Sequence, residues 1–409
     1  MSVPAPATPT EIALHADVAR LSALDRLPCS AGEAEAAAWI AARMREAGAR
    51  VTVDEEDVHG TYYTPLGVLN GLAAAGGLAV LAGRRALGGI AGAVAVAGLW
   101  QDLTGGCHRT VRKFLRRGRT TNVMAEFGPA DAEHTLVVHA HHDAARTSFI
   151  FDDTVTRFVV EKLPWLMEGR DRWPPLMGLV VAGPAGVALS ALTGGRRTAA
   201  LGAALATGTA VVMADMVRQP VVPGANDNLS GVAVLLEVAR RLKDAPLPGG
   251  VRVVLLSVGA EEANQEGMLA FERRHFGALA RDRTSFLCLD TVGSPELVLI
   301  EGEGFLKMFE YPSHHKERVA AAAHDAGVHV KRGMRFTFAT DGLIPLRRGY
   351  DAATIGSMTE HLVPSNYHWP TDTADNVDYR SVADAADLVM ATIARSGPEA
   401  PPPARRASS

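Results

Sequence analysis

The stretch HTLVVHAHHD, residues 134–143, decides the fold. The apolar run Leu136-Val137-Val138 predicts a strand, and the cluster His141-His142-Asp143 stands at its C-terminal end. In open α/β sheets that edge is where sites form. Two later stretches repeat the design. VRVVLLSVGAEE, residues 251–262, is an apolar strand running into Glu261 and Glu262, and RTSFLCLDTVG, residues 283–293, is a strand ending at Asp290.

The flanking segments supply the rest of an α/β pattern. Residues 33–48, EAEAAAWIAARMREAG, space Ala37, Ile40, Ala41 and Met44 as one helix face that stops at Gly48. ARVTVDEEDV (49–58) and TTNVMAEFG (120–128) read as strands. SGVAVLLEVARRLKD (230–244) is an amphipathic helix behind a Gly/Pro/Asn turn. HHKERVAAAAHDAGVHV (314–330) and DYRSVADAADLVMATIARS (378–396) contain further helices. Strands alternating with helices predict one domain over residues 11–396, a sheet with helices on both faces. A Pro/Ala/Ser-rich disordered tail follows over 397–409.

Two hydrophobic insertions interrupt this pattern, at residues 62–101 and 173–216. Each holds two uncharged runs, Leu66 to Gly83 with Ala86 to Trp100, and Pro174 to Gly195 with Thr198 to Ala214. Arg84-Arg85 divides the first pair and Arg196-Arg197 the second, so each insertion reads as a helical hairpin with two arginines at its tip. At ~1.5 Å per residue, runs of about 15 to 22 residues reach roughly 22 to 33 Å, against a hydrocarbon core of ~30 Å. Their Gly and Ala content suits close packing in a bilayer and equally suits a buried soluble hairpin. Tyr62, Tyr63, Trp100 and Trp173 flank the runs as candidate interfacial aromatics. Arg109, Arg112, Lys113, Arg116, Arg117 and Arg119 at the feet outnumber the tip charges. A spanning protein would then keep its main body in the cytoplasm, with a soluble cytoplasmic protein as the alternative.

Composition excludes other classes. The 409-residue chain has a formal charge of −4 without long single-sign blocks, which gives no nucleic-acid surface. Cys29, Cys107 and Cys288 are far apart and odd in number, so neither a disulfide framework nor a thiolate zinc site is predicted. The N-terminal MSVPAPATPTEIALHADV lacks a basic start followed by an apolar core, the pattern of a cleaved signal. Oligomeric state is not legible.

Five candidate ligands follow in the order His141, Asp227, Glu262, Asp290, His368, with Glu261 directly before the middle one. Two imidazoles and three carboxylates can hold two borderline-soft divalent cations if one carboxylate is shared. A carboxylate left free beside them is what metal-assisted hydrolysis needs as a general base. Singly, each motif is weak: GANDN alone is a turn, an EE pair a solvated face, His368 beside Trp369-Pro370 a loop residue. Their coincidence at strand ends and turns carries the weight. His139 and His142 cannot both share the face of His141 and are held outside the site. His314-His315 reads as a solvated loop.

The combination AHHD, GANDNLSG, AEE, LDTVGSP and NYHWPTDT resembles the co-catalytic zinc aminopeptidases of metallopeptidase family twenty-eight. The resemblance is strong over Thr120 to Ser396 apart from the second hairpin, and weak over Glu33 to Val58. It implies a zinc-exopeptidase-like mixed sheet with the two hairpins inserted, and two Zn2+ ions. His141 and Asp290 would hold one ion, Glu262 and His368 the other, and Asp227 would bridge them. Asp143 would support His141, Glu261 would be the general base, and Tyr367 would help stabilise the oxyanion. Thr340-Asp341 resembles a family segment that lines or supports the pocket. The implied activity is hydrolysis of N-terminal peptide bonds of peptide substrates. The alternatives are a glutaminyl-cyclase-like acyltransferase on the same fold and an inactive membrane scaffold. The intact NDN turn favours the peptidase, and the complete ligand set speaks against the scaffold. The hairpins depart from the family pattern and predict membrane association, as an anchor or a lid.

Overall fold

The structure is a computed structural model that describes residues 7–104, 109–152, 154, 158, 161–162, 171 and 177–397. Cys107, Trp173 and the tail beyond Gly397 lie outside these residues, whereas Cys29 and Cys288 are free thiols.

The chain opens with helices α1 (Pro9–Ser22) and α2 (Ala31–Glu46), then strand β1 (Arg50–Val58). Sequence reading passed over α1, although Thr8 and Glu11 form a reciprocal capping box at its start. Helices α3 (Tyr63–Leu81) and α4 (Arg85–Leu103) precede strands β2 (Gly118–Phe127) and β3 (His134–His141). Helices α5 (Met177–Thr193) and α6 (Arg196–Met216) lead to α7 (Ser230–Leu242), β4 (Val251–Val258), α8 (Glu266–His275), β5 (Thr284–Leu289) and β6 (Glu296–Leu299). The rest is β7 (Gly302–Glu303), β8 (Phe309–Glu310), α9 (Ser313–Asp325), β9 (Arg335–Phe336), α10 (Leu343–Arg347), β10 (Asp351–Met358) and α11 (Tyr379–Ala394).

Seven strands form a mixed sheet in the order β1-β2-β4-β3-β5-β10-β6. The pairs β4/β3, β3/β5 and β5/β10 are parallel, and the edges β1/β2, β2/β4 and β10/β6 are antiparallel. A small sheet, β8-β7-β9, was not foreseen because its strands are only two residues long. One face of the large sheet packs on α1, α2, α7, α9 and α11 through Leu14, Ile40, Leu235, Val319 and Val389. The other packs on α8 and α10 through Met268, Phe271 and Ile344. The alternating pattern therefore had the right consequence: strands buried on both faces are continuous apolar runs, as in β4 and β5.

The two hairpins do not stand apart. Helix α3 packs on α4 and α6, and α5 on α4 and α6, so that they close into one four-helix bundle with its own core around Leu66, Leu69, Ala95, Leu99 and Ala206. Small residues set the contact. A Cβ added at Gly92 would lie 2.7 Å from the Ala188 amide nitrogen, and one at Gly183 would lie 2.7 Å from that of Ala206. Tyr63, expected as an interfacial aromatic, is buried, and its hydroxyl accepts the Arg146 amide at 3.2 Å. The basic feet are also reduced. Arg109 and Arg112 are buried in protein and Arg119 pairs with Glu55, which leaves Lys113, Arg116 and Arg117 exposed there.

Backbone-to-backbone packing makes a signed prediction. Gly92→Ala should destabilise the protein by about 1–3 kcal/mol, because its methyl meets the α5 backbone. Gly208→Ala, with no atom within 4 Å of the added carbon, should stabilise by about 0.5–1 kcal/mol through helix propensity. Thermal denaturation of the two variants reads both signs.

Candidate metal centre

The adjacent parallel strands β4, β3 and β5 bring three ligand-bearing ends to one edge of the sheet. His141 is the last residue of β3, Glu261 and Glu262 follow β4 after the turn Gly259-Ala260, and Asp290 follows β5 directly. Asp227 comes from the turn before α7 and His368 from the loop after β10. These six, with Phe338, Ala339 and Tyr367, line one pocket.

Two groups of ligand atoms, each within 4.8 Å of one another, share Asp227: His141, Asp227 and Asp290, and Asp227, Glu262 and His368. His141 Nε2 lies 3.2 Å from Asp227 Oδ1, and His368 Nε2 lies 3.1 Å from Asp227 Oδ2 and 3.2 Å from Glu262 Oε1. Each oxygen of Asp227 thus faces a different imidazole. A third group, His141 with Glu261 and Glu262, also meets the distance criterion. It leaves His368 and Asp290 without a role, so the pair sharing Asp227 accounts for more of the site.

Electrostatics argue for cations here. Asp143, Asp227, Glu262, Asp290 and Asp341 are buried, Glu261 is partly so, and among the described residues two imidazoles, His141 and His368, line the pocket. Burial, then the charge of Asp227, pushes the Asp290 carboxyl up to about 7. Burial likewise raises Glu261 and Asp341 well above the usual carboxylate range, with the charge of Asp341 adding to the rise at Glu261 and those of Asp143 and Asp290 adding to it at Asp341. Asp227 is buried too, but the bonds from His141 and His368 outweigh desolvation and hold it low. For His368 the nearby Glu262 carboxylate and the bond to Asp227 overcome burial and raise the ring to about 10. Like charges brought this close out of water are tolerated when positive charge is supplied. The nitrogen and oxygen donors suit zinc, so the residues present fit two divalent ions.

The ligand turns adopt backbone conformations that side chains rarely take. Ala260, Asn264, Gln265, Thr291 and His368 all have φ between 48° and 67°. Such residues cost of order 1–3 kcal/mol each and persist when the surroundings over-determine them. The surroundings are named side chains. Asp143 accepts the amides of Glu261 at 3.1 Å and Glu262 at 2.9 Å, while its Oδ1 lies 3.3 Å from His141 Nδ1. Glu33 accepts the Ala260 amide at 2.9 Å and the Thr120 hydroxyl at 2.6 Å. Asn228 Oδ1 accepts the Thr291 amide at 3.1 Å. Asp372 accepts the amides of Asn226 at 2.7 Å and Asp227 at 3.1 Å. Arg26, fully buried, donates to the carbonyls of His142, Leu21, Pro223 and Gly224, tying α1 to two ligand loops.

The structure brings together His141, Asp227, Glu262, Asp290, His368, Glu261, Tyr367 and Asp143, all named from the sequence. His139 and His142 are buried away from the pocket, with His142 Nδ1 2.9 Å from Ser257 Oγ. His314 and His315 begin α9 instead of a loop; His314 pairs with Asp351 and His315 is buried against the Phe286 carbonyl. Thr340 binds Glu303, and Asp341 is buried with its carboxyl raised by burial. Sequence reading missed Arg26, Glu33 and Phe151. Arg26 and Glu33 lie more than a hundred residues from the turns they hold, and no local pattern marks them. Phe151 packs edge-on against His368 with centroids 4.6 Å apart. Asp372 stood inside the quoted NYHWPTDT, and the signal was present but unassigned.

Residues 206–393 match peptidase family M28. Among solved structures, the chain is similar to a glutaminyl cyclase of Bacteroides thetaiotaomicron bound to N-acetylhistamine. That match has 16% identity and a TM-score of 0.56, covering 96% of this chain and 99% of that one. A leucine aminopeptidase precursor from the same organism matches at 16% identity, TM-score 0.55, with the same coverages. A zinc aminopeptidase from Bacillus subtilis matches at 16% identity and TM-score 0.53, covering 94% of each chain. No curated protein matches the sequence. The resemblance to family twenty-eight and the zinc-exopeptidase-like mixed sheet therefore stand.

The amides held by Asp372 lead to a test of the bridging turn. Asp372→Ala should weaken metal affinity by about 10–100-fold while leaving the fold intact. Competition with a chromophoric chelator, beside circular dichroism of the same samples, measures both.

Proposed function

We propose that this chain, an M28 peptidase by fold and by the match over residues 206–393, is a di-zinc aminopeptidase that hydrolyses the N-terminal peptide bond of short peptides. The observation that carries the reading is the pair of ligand triads sharing Asp227, with the Glu261 carboxylate left over beside them in the same pocket.

In this reading His141, Asp227 and Asp290 hold one Zn2+, and Asp227, Glu262 and His368 the other. When bound, the ions would lower the pKa of water and polarise the peptide carbonyl. Glu261 supplies the proton transfers. Its carboxylate, left over beside the ligands in the same pocket, is placed to take a proton from the attacking water and release it to the leaving amine. Gln265 Nε2, anchored on the Ala339 carbonyl at 3.0 Å, lies 3.4 Å from Glu261 Oε1 and orients it. Burial keeps the Tyr367 hydroxyl protonated, and its ring stacks on His368 with centroids 4.0 Å apart. It is thereby placed as a donor to the developing oxyanion. Phe338, Phe151 and Tyr367 form an apolar wall suited to the side chain of the residue released.

Glu261→Gln should lower kcat by at least about 100-fold with zinc content unchanged; retained turnover would remove the assigned role. Dialysis against a chelator should abolish activity, and added zinc should restore it. A panel of aminoacyl, N-blocked and N-terminal glutaminyl peptides separates the rivals. Cleavage of free-amine substrates alone supports the aminopeptidase, and cyclisation of the glutaminyl peptide without hydrolysis supports the cyclase.

A further inference from the structure

We propose that the four-helix bundle α3–α6 is a membrane anchor whose outer surface faces lipid acyl chains, and that buried Arg112 ties the seat of this anchor to the turn carrying Glu261 and Glu262. The anchor requires nothing of the proposed chemistry, whereas the effect of the tie on turnover rests on the role given to Glu261.

The bundle joins a core around Leu66, Leu69 and Leu99 to close glycine contacts between helices and an apolar outer surface. Its helix contacts are made by Gly76, Gly77, Gly92 and Gly202, whose added Cβ atoms would strike neighbouring helices within 3 Å. Large side chains point away: Leu78 and Ile90 are 64% exposed, Leu201 67% and Leu192 85%. Of the twenty exposed large apolar side chains among the described residues, thirteen lie on these four helices. Phe114, Phe149 and Ile150 add to them at the feet, where the bundle meets the catalytic body. So many exposed large apolar side chains on one bundle are unfavourable in water, whereas glycine-mediated helix contacts with apolar side chains facing outward suit helices solvated by lipid. The helices Tyr63–Leu81, Arg85–Leu103 and Arg196–Met216 are long and apolar enough to cross a bilayer, and Met177–Thr193 is shorter. Both tips meet at one end, where Arg196 donates to the Leu81 carbonyl at 2.8 Å and the Arg85 guanidinium packs over Gly194. Four exposed arginines there, Arg84, Arg85, Arg196 and Arg197, suit lipid phosphates on the side opposite the catalytic body.

The feet are fastened to the catalytic turn. Arg112 is fully buried, donates to Asp102 in the last turn of α4 at 2.7 and 2.9 Å, and reaches the Ala263 carbonyl at 2.9 Å. It also pairs with Glu266 at 3.0 Å, and Glu266 accepts the amide of Gly60 at the entry to the first hairpin. Glu266 is held down to about 2: its bond with His59 and the charges of Arg112 and Arg109 outweigh burial. Entry and exit of the first hairpin thus converge on residues 263–266, next to both functional glutamates. From the second hairpin, Asp215 accepts the Ser148 hydroxyl at 2.9 Å, three residues before Phe151.

The full-length protein should sediment with membranes, resist alkaline carbonate extraction and require detergent for solubilisation. Recovery in the soluble fraction without detergent overturns the anchor, and a soluble dimer would assign the belt to a second copy. Val94→Arg combined with Leu205→Arg, both outward positions, should cut the carbonate-resistant fraction several-fold; unchanged retention overturns the lipid-facing assignment. An impermeant maleimide should reach Ala86→Cys at the tip and Ala280→Cys on the body from opposite sides of the membrane. Labelling from one side alone overturns spanning. For the tie, Arg112→Lys keeps the charge and loses the fork; kcat should fall about tenfold with KM within about twofold and the thermal midpoint above the assay temperature. Wild-type kcat in the folded variant overturns it. Asp102→Asn, which preserves shape, provides the same reading if Arg112→Lys does not fold.

Discussion

Four carboxylates, Asp227, Glu261, Glu262 and Asp290, line a pocket with two imidazoles, Asp143 and Asp341 are buried behind them, and the structure around it answers to that imbalance. Taking like charges out of water is unfavourable by several kcal/mol per ion unless cations or donors compensate. The five buried acids are therefore divided by task. Asp227, Glu262 and Asp290 point their oxygens at the imidazoles and at one another, whereas Asp143 spends both oxygens on backbone amides of the Glu261-Glu262 turn. Asp341 has neither arrangement, and its carboxyl is pushed up by burial.

The same demand explains the backbone. Left-handed residues collect in the turns that carry the ligands, at Ala260 before Glu261, at Thr291 after Asp290 and at His368 itself. Ala260 and Thr291 are held by the buried side chains of Glu33 and Asn228, each of which makes further hydrogen bonds of its own. Arg26 is the extreme case: burial lowers its guanidinium to about 10, with the charges of Asp143 and Asp372 pulling it back up. Helix α1 is in this sense part of the site, although no atom of it lines the pocket.

The bundle extends this logic outward. Its first hairpin leaves and returns beside residues 263–266, and its second sits between the first ligand strand and the bridging turn. A body inserted at those two points cannot move without moving the loops that carry the ligands.

Much that depends on local pattern was legible in the chain alone, although α1 with its capping box was passed over and the helix start at His314-His315 was read as a loop. Period-two and apolar runs marked β3, β4 and β5, helical spacing marked α2, α7 and α11, and residue type at strand ends marked the ligands from His141 to His368. Two-residue strands β7, β8 and β9 were invisible because no period can be read from two residues. Arg26 and Glu33 were invisible because a buried charge is recognised by what surrounds it, and their partners in β2 and the ligand turns lie 87 to 227 residues away. The hairpins were legible one at a time, as apolar runs divided by arginine pairs. That they unite into one bundle, with which glycines and leucines face inward, was decided only in three dimensions, because which face of an all-apolar helix is buried is set by its neighbours and not by its period.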